Sequence, residues 1–191
     1  LSIIEMIMSG TTAFIDMYHY PDVTADVALK YGLRAALGPT FIDTLRKPSC
    51  VENELRNFVS KYGGSSLIRP IINVHSIYAV DKDTLLRVRG LSNELNLPVQ
   101  LHVSETRDEV YESKRRYGMF PVEYLNSLGL VSSKSQLIHL GWVTNWELGI
   151  IARANARVTH APTSNMKLAT AGHFPMRELM DMGVIVTLGT D

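Results

Sequence analysis

The chain has 191 residues, 46% of them hydrophobic, and its 19 basic and 19 acidic side chains cancel to a formal net charge of zero. That is enough apolar material for one substantial core. It gives no chain-wide attraction for nucleic acid or an anionic membrane, so the expected partner is a small molecule or a protein. The single cysteine, Cys50 in "KPSCVEN", excludes an internal disulfide and has no second thiol beside it for a metal knuckle, which fits a reducing, cytoplasmic compartment. No apolar run reaches the ~20 residues that cross a bilayer, and the amino terminus lacks the charged-then-apolar layout of a signal.

In chain order, a helical pattern, "LSIIEMIMSG" (1–10), comes first. The strand "TTAFIDM" (11–17), the helix "DVTADVALKYG" (22–32) and the strand "RAAL" (34–37) follow. The helix "VENELRNFVSKYG" (51–63) leads to the strand "IRPIINV" (68–74), and the helix "KDTLLRVRGLSNELN" (82–96) to the strand "VQLHV" (99–103). After them come the helix "PVEYLNSLGL" (121–130), the strand "QLIHL" (136–140), the helix "NWELGIIARAN" (145–155) and the strand "ARVTH" (156–160). The last pair is the helix "PMRELMDMG" (175–183) and the strand "VIVTLGT" (184–190). Most helices end in Gly or Asn and two begin with proline, both ordinary helix punctuation. Strand and helix in alternation predict a parallel α/β sheet. No Gly-rich phosphate fingerprint follows a strand, which counts against a doubly wound nucleotide-binding sheet. The strand "VQLHV" alternates Val99, Leu101 and Val103 with Gln100 and His102. It reads as a strand half-exposed to solvent or as one of a parallel barrel, apolar toward helices and polar toward the mouth. Seven strands are legible where an eight-stranded barrel needs closure, so the chain reads as an excerpt of a longer protein with no visible internal domain boundary.

Four of the six histidines, His75, His102, His139 and His160, fall at or just beyond the carboxyl ends of four successive predicted strands, and Asp191 closes a fifth. In a parallel barrel those ends converge on one mouth, where barrel enzymes keep their chemistry. Imidazole and carboxylate together suit a zinc-like or ferrous ion. His19 and His173 lie in loop-like contexts and read as surface residues. The methionines of "MIM" and "MDM" read as core or helix-face packing, and "SKRR" (113–116) as a solvated helix face.

The segments "SGTTAFIDMY", "LHVSETRDEV", "VTHAPTSNMKLA" and "GVIVTLGTD" resemble, in order and over the whole chain, the amidohydrolase superfamily. The branch is that of cytoplasmic deaminases and related hydrolases containing methylthioadenosine/S-adenosylhomocysteine deaminase. The resemblance implies a metal-dependent hydrolase (β/α)8 TIM-type barrel, of which residues 1–191 would be about strands 2 to 8. The first strand, with its HxH ligand pair, and a flanking β-sandwich would lie outside this chain. It implies that His102 and Asp191 are metal ligands, that Glu105 donates a proton to the substrate ring, that His139 orients water or an oxyanion, and that His75 contacts substrate. Relatives acting on S-adenosylhomocysteine carry an arginine in the loop after the third strand; here that loop reads "LGPTFIDTLRKP", with Pro39 near that place and Arg46 or Lys47 as substitutes.

The chemistry agrees with those roles. A divalent ion brings the pKa of bound water to about 7, so hydroxide is available to attack an electron-poor ring carbon. Asp191 can take the proton of that water, and Glu105 can protonate a ring nitrogen as charge builds during attack. "SETRDEV" also reads as a helix start capped by Ser104, with acids in its first turn. His139 could instead be a second ligand of the metal or a hydrogen-bond donor to the hydroxide, and with His75 ending the fourth strand one metal is expected. His160 is as well explained by a structural role, bonding loop backbone with Asn165. The expected function is deamination of a nitrogen heterocycle, an adenosine-type nucleoside first, by attack of metal-held hydroxide. The cofactor is one divalent ion, zinc ahead of iron. The partner is a small heterocyclic substrate, not nucleic acid or membrane, with a homo-oligomer left open. A triazine-type chlorohydrolase, a guanine or other cyclic-amidine deaminase, and a non-catalytic binding protein on a decayed barrel are the alternatives.

Overall fold

The computed structural model describes residues 1–170 and 172–191. It divides into two compact units, Leu1–His75 and Ser76–Asp191, both built of parallel strands joined by helices.

The first unit runs α1 (Ser2–Met8), β1 (Ala13–Ile15), α2 (Pro21–Tyr31), β2 (Arg34–Leu37), β3 (Thr40–Phe41), α3 (Pro48–Tyr62), β4 (Ile68–Pro70) and β5 (Ile72–Ser76). β1, β2 and β4 pair in parallel, Ala13 opposite Arg34 and Ala35 opposite Ile68. β5 pairs with β3, Asn73 opposite Thr40. The strand expected over 68–74 is thus two strands. Pro70 has no N–H to continue the ladder, and the chain changes partner across Ile71, whose N–H donates to the Leu37 carbonyl at 2.9 Å. The crossing leaves no room for a side chain at Gly38, where a Cβ would sit 1.9 Å from the Ile71 carbonyl oxygen. Ala25 and Ala28 of α2 and Phe58 and Tyr62 of α3 pack with Ala35, Leu37 and Ile68 of the sheet. Burying a side chain such as Phe58 contributes about 1.5–3 kcal/mol. α2 stops at Gly32, whose φ of 71° is the left-handed cap that glycine adopts without strain.

The second unit runs α4 (Lys82–Glu94), β6 (Val99–Val103), α5 (Arg107–Tyr117), α6 (Pro121–Ser127), β7 (Ser135–His139), α7 (Asn145–Arg153), β8 (Arg157–His160), α8 (Pro162–Leu168), α9 (Met176–Asp181) and β9 (Val186–Leu188). β6, β7, β8 and β9 pair in that order, all parallel, with Val103 opposite His139 and Thr159 opposite Thr187. Val99, Gln100, Leu101 and Val103 of β6 are all buried. The half-exposed reading of that strand is therefore excluded, and coverage of both faces is what a central parallel strand has. Leu101, Leu137, Leu148, Ile151 and Val158 are fully buried. On the polar side, Gln136 Nε2 donates to Thr159 Oγ1 at 2.6 Å and the Thr159 and Thr187 hydroxyls bond at 2.9 Å, so the polar groups behind the strand ends satisfy one another.

Several local expectations change. Only Met6 of the two methionine pairs packs on the core; Met8, Met180 and Met182 are exposed. Lys114, Arg115 and Arg116 face solvent, but Ser113 is buried and donates to the Met119 carbonyl. Pro175 precedes α9 as its cap rather than opening its first turn.

Candidate metal and acid–base site

Parallel pairing brings the carboxyl ends of β6, β7 and β8, with His102, His139 and His160, to one edge of the sheet, and Asp191 lies three residues past β9. The β6–β7 ladder continues beyond the strands: the Leu140 N–H donates to the Val103 carbonyl and the Trp142 N–H to the Ser104 carbonyl, each at 3.1 Å. Three residues in this turn region have left-handed φ, Ser104 at 53°, His139 at 78° and Leu140 at 49°. Such positions cost on the order of 1–3 kcal/mol each and persist where surrounding structure over-determines them.

His102 Nε2 stands 3.4 Å from Asp191 Oδ1, and His139 Nε2 stands 3.9 Å from Asp191 Oδ2. One ligand atom from each of His102, His139 and Asp191 falls within 4.8 Å of the others. Glu105 Oε2 is 3.8 Å from His139 Nε2. The His139 ring is fully buried, and its Nδ1 bonds Asn165 Oδ1 at 2.9 Å. An amide oxygen only accepts, so Nδ1 carries the hydrogen and Nε2 has a free lone pair. Burial lowers the His139 pKa, the Glu105 carboxylate opposing, so the ring is neutral at pH 7. That Nε2 is buried without a hydrogen-bond partner. Asp191 is held well below the usual carboxylate range, first by the His102 imidazole and, against burial, by the Ser164 hydroxyl donating to Oδ2 at 2.5 Å. An unpartnered imidazole nitrogen beside a second imidazole and an ionised carboxylate is a donor set that fits a zinc-type divalent ion.

Ser104 does not cap α5. The cap is Thr106, whose Oγ1 accepts the Glu109 N–H at 3.1 Å, while Ser104 sits fully buried in the turn before it. Glu109, a first-turn acid that reads as solvent-facing in the sequence, is 4% exposed and accepts the N–H groups of Ser104 and Glu105, both at 2.9 Å. Burial pushes its carboxyl up to about 7, the two backbone donors acting the other way.

α8 is the second omission. Its adjacent residues Ser164 and Asn165 hold Asp191 and His139 respectively. Asn165 was expected to work with His160, but its oxygen serves His139. His160 stacks on Phe174 with centroids 4.1 Å apart, and burial lowers its pKa. Tyr78, also unforeseen, has a phenol raised by burial and further by the charges of Glu105, Glu109 and Asp191. His19 and His173 are exposed, as expected. His75 is half-buried in β5 of the first unit.

Parallel strands alternating with helices, with imidazoles and carboxylates gathered at the strand ends, are the architecture of a (β/α)8 barrel, of which this chain is a part. The chain belongs to the amidohydrolase family, which matches it over residues 1–191. It is 38% identical over 197 residues to the 5-methylthioadenosine/S-adenosylhomocysteine deaminase of Pyrococcus furiosus, covering 100% of this chain and 46% of that protein. It is 38% identical over 195 residues to the 5'-deoxyadenosine deaminase of Methanothermobacter thermautotrophicus, covering 100% and 45%. Among solved structures, a zinc-bound adenosine deaminase from Xanthomonas campestris superposes with a TM-score of 0.93 at 33% identity, covering 99% of this chain and 44% of that one. The chain therefore spans a little under half the length of the relatives it matches. No helix among the described residues is long and apolar enough to cross a membrane.

Proposed function

We propose that this chain is part of a metal-dependent aminohydrolase that removes ammonia from an adenosine-type nucleoside. The observation that carries the reading is the Glu105 carboxylate 3.8 Å from the unpartnered His139 Nε2, beside the His102–Asp191 pair. His102 and Asp191 would hold one divalent ion, zinc ahead of iron, with His139 beside it. When bound, that ion supplies a water acidic enough to be deprotonated near pH 7. Asp191, kept ionised by His102 and Ser164, accepts that proton. His139, neutral with its hydrogen on Nδ1, offers Nε2 as an acceptor and so orients water rather than donating to an oxyanion. Glu105 donates a proton to the ring nitrogen next to the attacked carbon, so that negative charge does not accumulate there. The relatives named 5-methylthioadenosine/S-adenosylhomocysteine deaminase and 5'-deoxyadenosine deaminase support the purine nucleoside as substrate class. The exposed Cys50 thiol supports a reducing, cytoplasmic setting.

The test uses the full-length protein, with metal analysis and an ammonia-release screen over adenine nucleosides, guanine, cytosine and triazines. Release from adenine nucleosides is expected, and His102→Ala should lose most metal and nearly all turnover without unfolding. Glu105→Gln should keep its metal while turnover falls about 10²–10⁴-fold, the size of a general acid contribution. Full activity in Glu105→Gln, or full metal in His102→Ala, overturns the assignment.

A further inference from the structure

The Glu105 carboxylate hangs from a turn that belongs neither to β6 nor to α5. Backbone groups in such a turn need partners of their own, because a buried N–H without one is costly. Ser104, fully buried and left-handed at φ 53°, gives its carbonyl to the Trp142 N–H at 3.1 Å. Its own N–H and that of Glu105 go to the two oxygens of Glu109, Oε1 and Oε2, each at 2.9 Å. Glu109 is itself anchored, since its N–H donates to Thr106 Oγ1 at 3.1 Å. A capping-box glutamate reaches back to its own cap N–H. Glu109 instead reaches past Thr106 and divides its carboxylate between the two residues upstream. A carboxylate is the group with an acceptor for each of two diverging N–H donors; an amide presents one acceptor and one donor.

We propose that Glu109 is a positioning residue: its buried carboxylate, by accepting the Ser104 and Glu105 N–H groups, fixes the turn that aims Glu105 at His139. This rests on the reading of Glu105 as the acid. Misplacement of a reacting group by about an ångström costs on the order of 10²-fold in rate, and Glu109 acts only through where it sets Glu105. Its removal should therefore lower kcat and leave the metal in place.

The test is a double-mutant cycle in the full-length enzyme, with kcat, KM, metal content and hydrogen exchange at the Ser104 and Glu105 amides. Glu109→Gln is expected to lower kcat about 10–100-fold with KM within about threefold and metal unchanged, and to cost less than twofold when Glu105→Gln is already present. The two amides should be protected in the parent and exchange at least tenfold faster in Glu109→Gln. An equal penalty in both backgrounds, a loss confined to KM or metal, or unprotected amides in the parent overturns the proposal. If Glu105→Gln is fully active, the reading of Glu105 has failed instead, and the exchange rates still decide whether Glu109 holds the turn. Should Glu109→Gln not fold, Glu109→Asp, which keeps the charge but is one methylene short, is expected to show the same kcat loss and the same cycle.

Discussion

Two strand-to-helix connections of the second unit carry the same short signature and use it differently. After β6, Thr106 and Glu109 open α5; after β7, Thr144 and Glu147 open α7. Both glutamates are buried, 4% and 0% exposed, and burial raises the pKa of both. Glu147 closes on its own cap, accepting the Thr144 N–H at 3.0 Å and its hydroxyl at 2.8 Å, and spends its other oxygen on the Val122 N–H at the start of α6. It joins two helices. Glu109 sends both oxygens upstream to the turn bearing Glu105. A Thr-x-x-Glu spacing therefore states that a helix begins, while the direction of the carboxylate decides whether the bond energy goes into packing or into holding the turn that bears Glu105.

The largest effect that would break this contrast is on stability. Glu147→Ala leaves the Thr144 and Val122 N–H groups without acceptors, at about 1–3 kcal/mol each, partly offset because a buried carboxylate no longer has to be desolvated. A net loss of about 3 kcal/mol is expected in a denaturant midpoint, with turnover per folded molecule unchanged. A variant as stable as the parent but tenfold slower would place Glu147 in the same class as Glu109.

Next comes the pH dependence of stability. Glu109 releases its proton near 4.5 in the unfolded chain and near 7 when folded. Between those values the folded state binds more protons, so stability contributed by this group falls as pH rises through that window and is flat on either side. The full change is about 3 kcal/mol at ~1.4 kcal/mol per unit. Subtracting the Glu109→Gln unfolding free energy from that of the parent at several pH values isolates it. A difference that rises with pH through the window would mean the backbone donors outweigh burial.

A smaller effect separates how the two turns are braced. His139 at the end of β7 owes its orientation not to α7 but to Asn165 of α8, 26 residues on. Asn165→Ala should reduce turnover by about 10–100-fold, the usual consequence of losing the partner that orients a histidine beside a metal site. Asn165→Asp keeps the acceptor and should recover most of it. Failure of Asn165→Asp to do better than alanine would show that the hydrogen on Nδ1 is not what matters.

The residues proposed to touch the reaction were legible in the sequence because they stand at or just past strand ends, where period-two patterning and parallel order locate them without three-dimensional information. His102, His139 and Asp191 come together as that order requires. The residues that hold them were not. A glutamate in the first turn of a helix reads as a solvated partner of the helix dipole, and only its burial shows otherwise for Glu109. The spacing from Thr106 to Glu109 was the available signal. "PTSNMKL" carries part of the family resemblance but has no apolar periodicity over its single short helix, so neither α8 nor the groups that Ser164 and Asn165 hold could be read from it. β3, two residues long, falls below any alternation, and the division of β4 from β5 depends on a change of partner at Ile71 that no local pattern records.

The smallest effect is the sharpest test of the comparison, because it touches only the caps. The Thr106 hydroxyl accepts the Glu109 N–H, whereas the Thr144 hydroxyl donates to the Glu147 carboxylate. Losing an N-cap acceptor costs about 1 kcal/mol, so Thr106→Ala should lower stability by that amount while both carboxylate bonds to the turn survive and kcat stays within twofold. Thr144→Ala should cost a similar amount in the parent and almost nothing once Glu147 is alanine, since its hydroxyl has lost its acceptor. Thr106→Ala should show no such collapse in a Glu109→Gln background, because the donor it serves is backbone and remains. Denaturant midpoints of the four single and two double variants read both cycles. If Thr106→Ala instead slowed turnover tenfold at unchanged stability, the hydroxyl and not the carboxylate would be setting the turn, and the positioning role would move from the third residue of α5 to its cap.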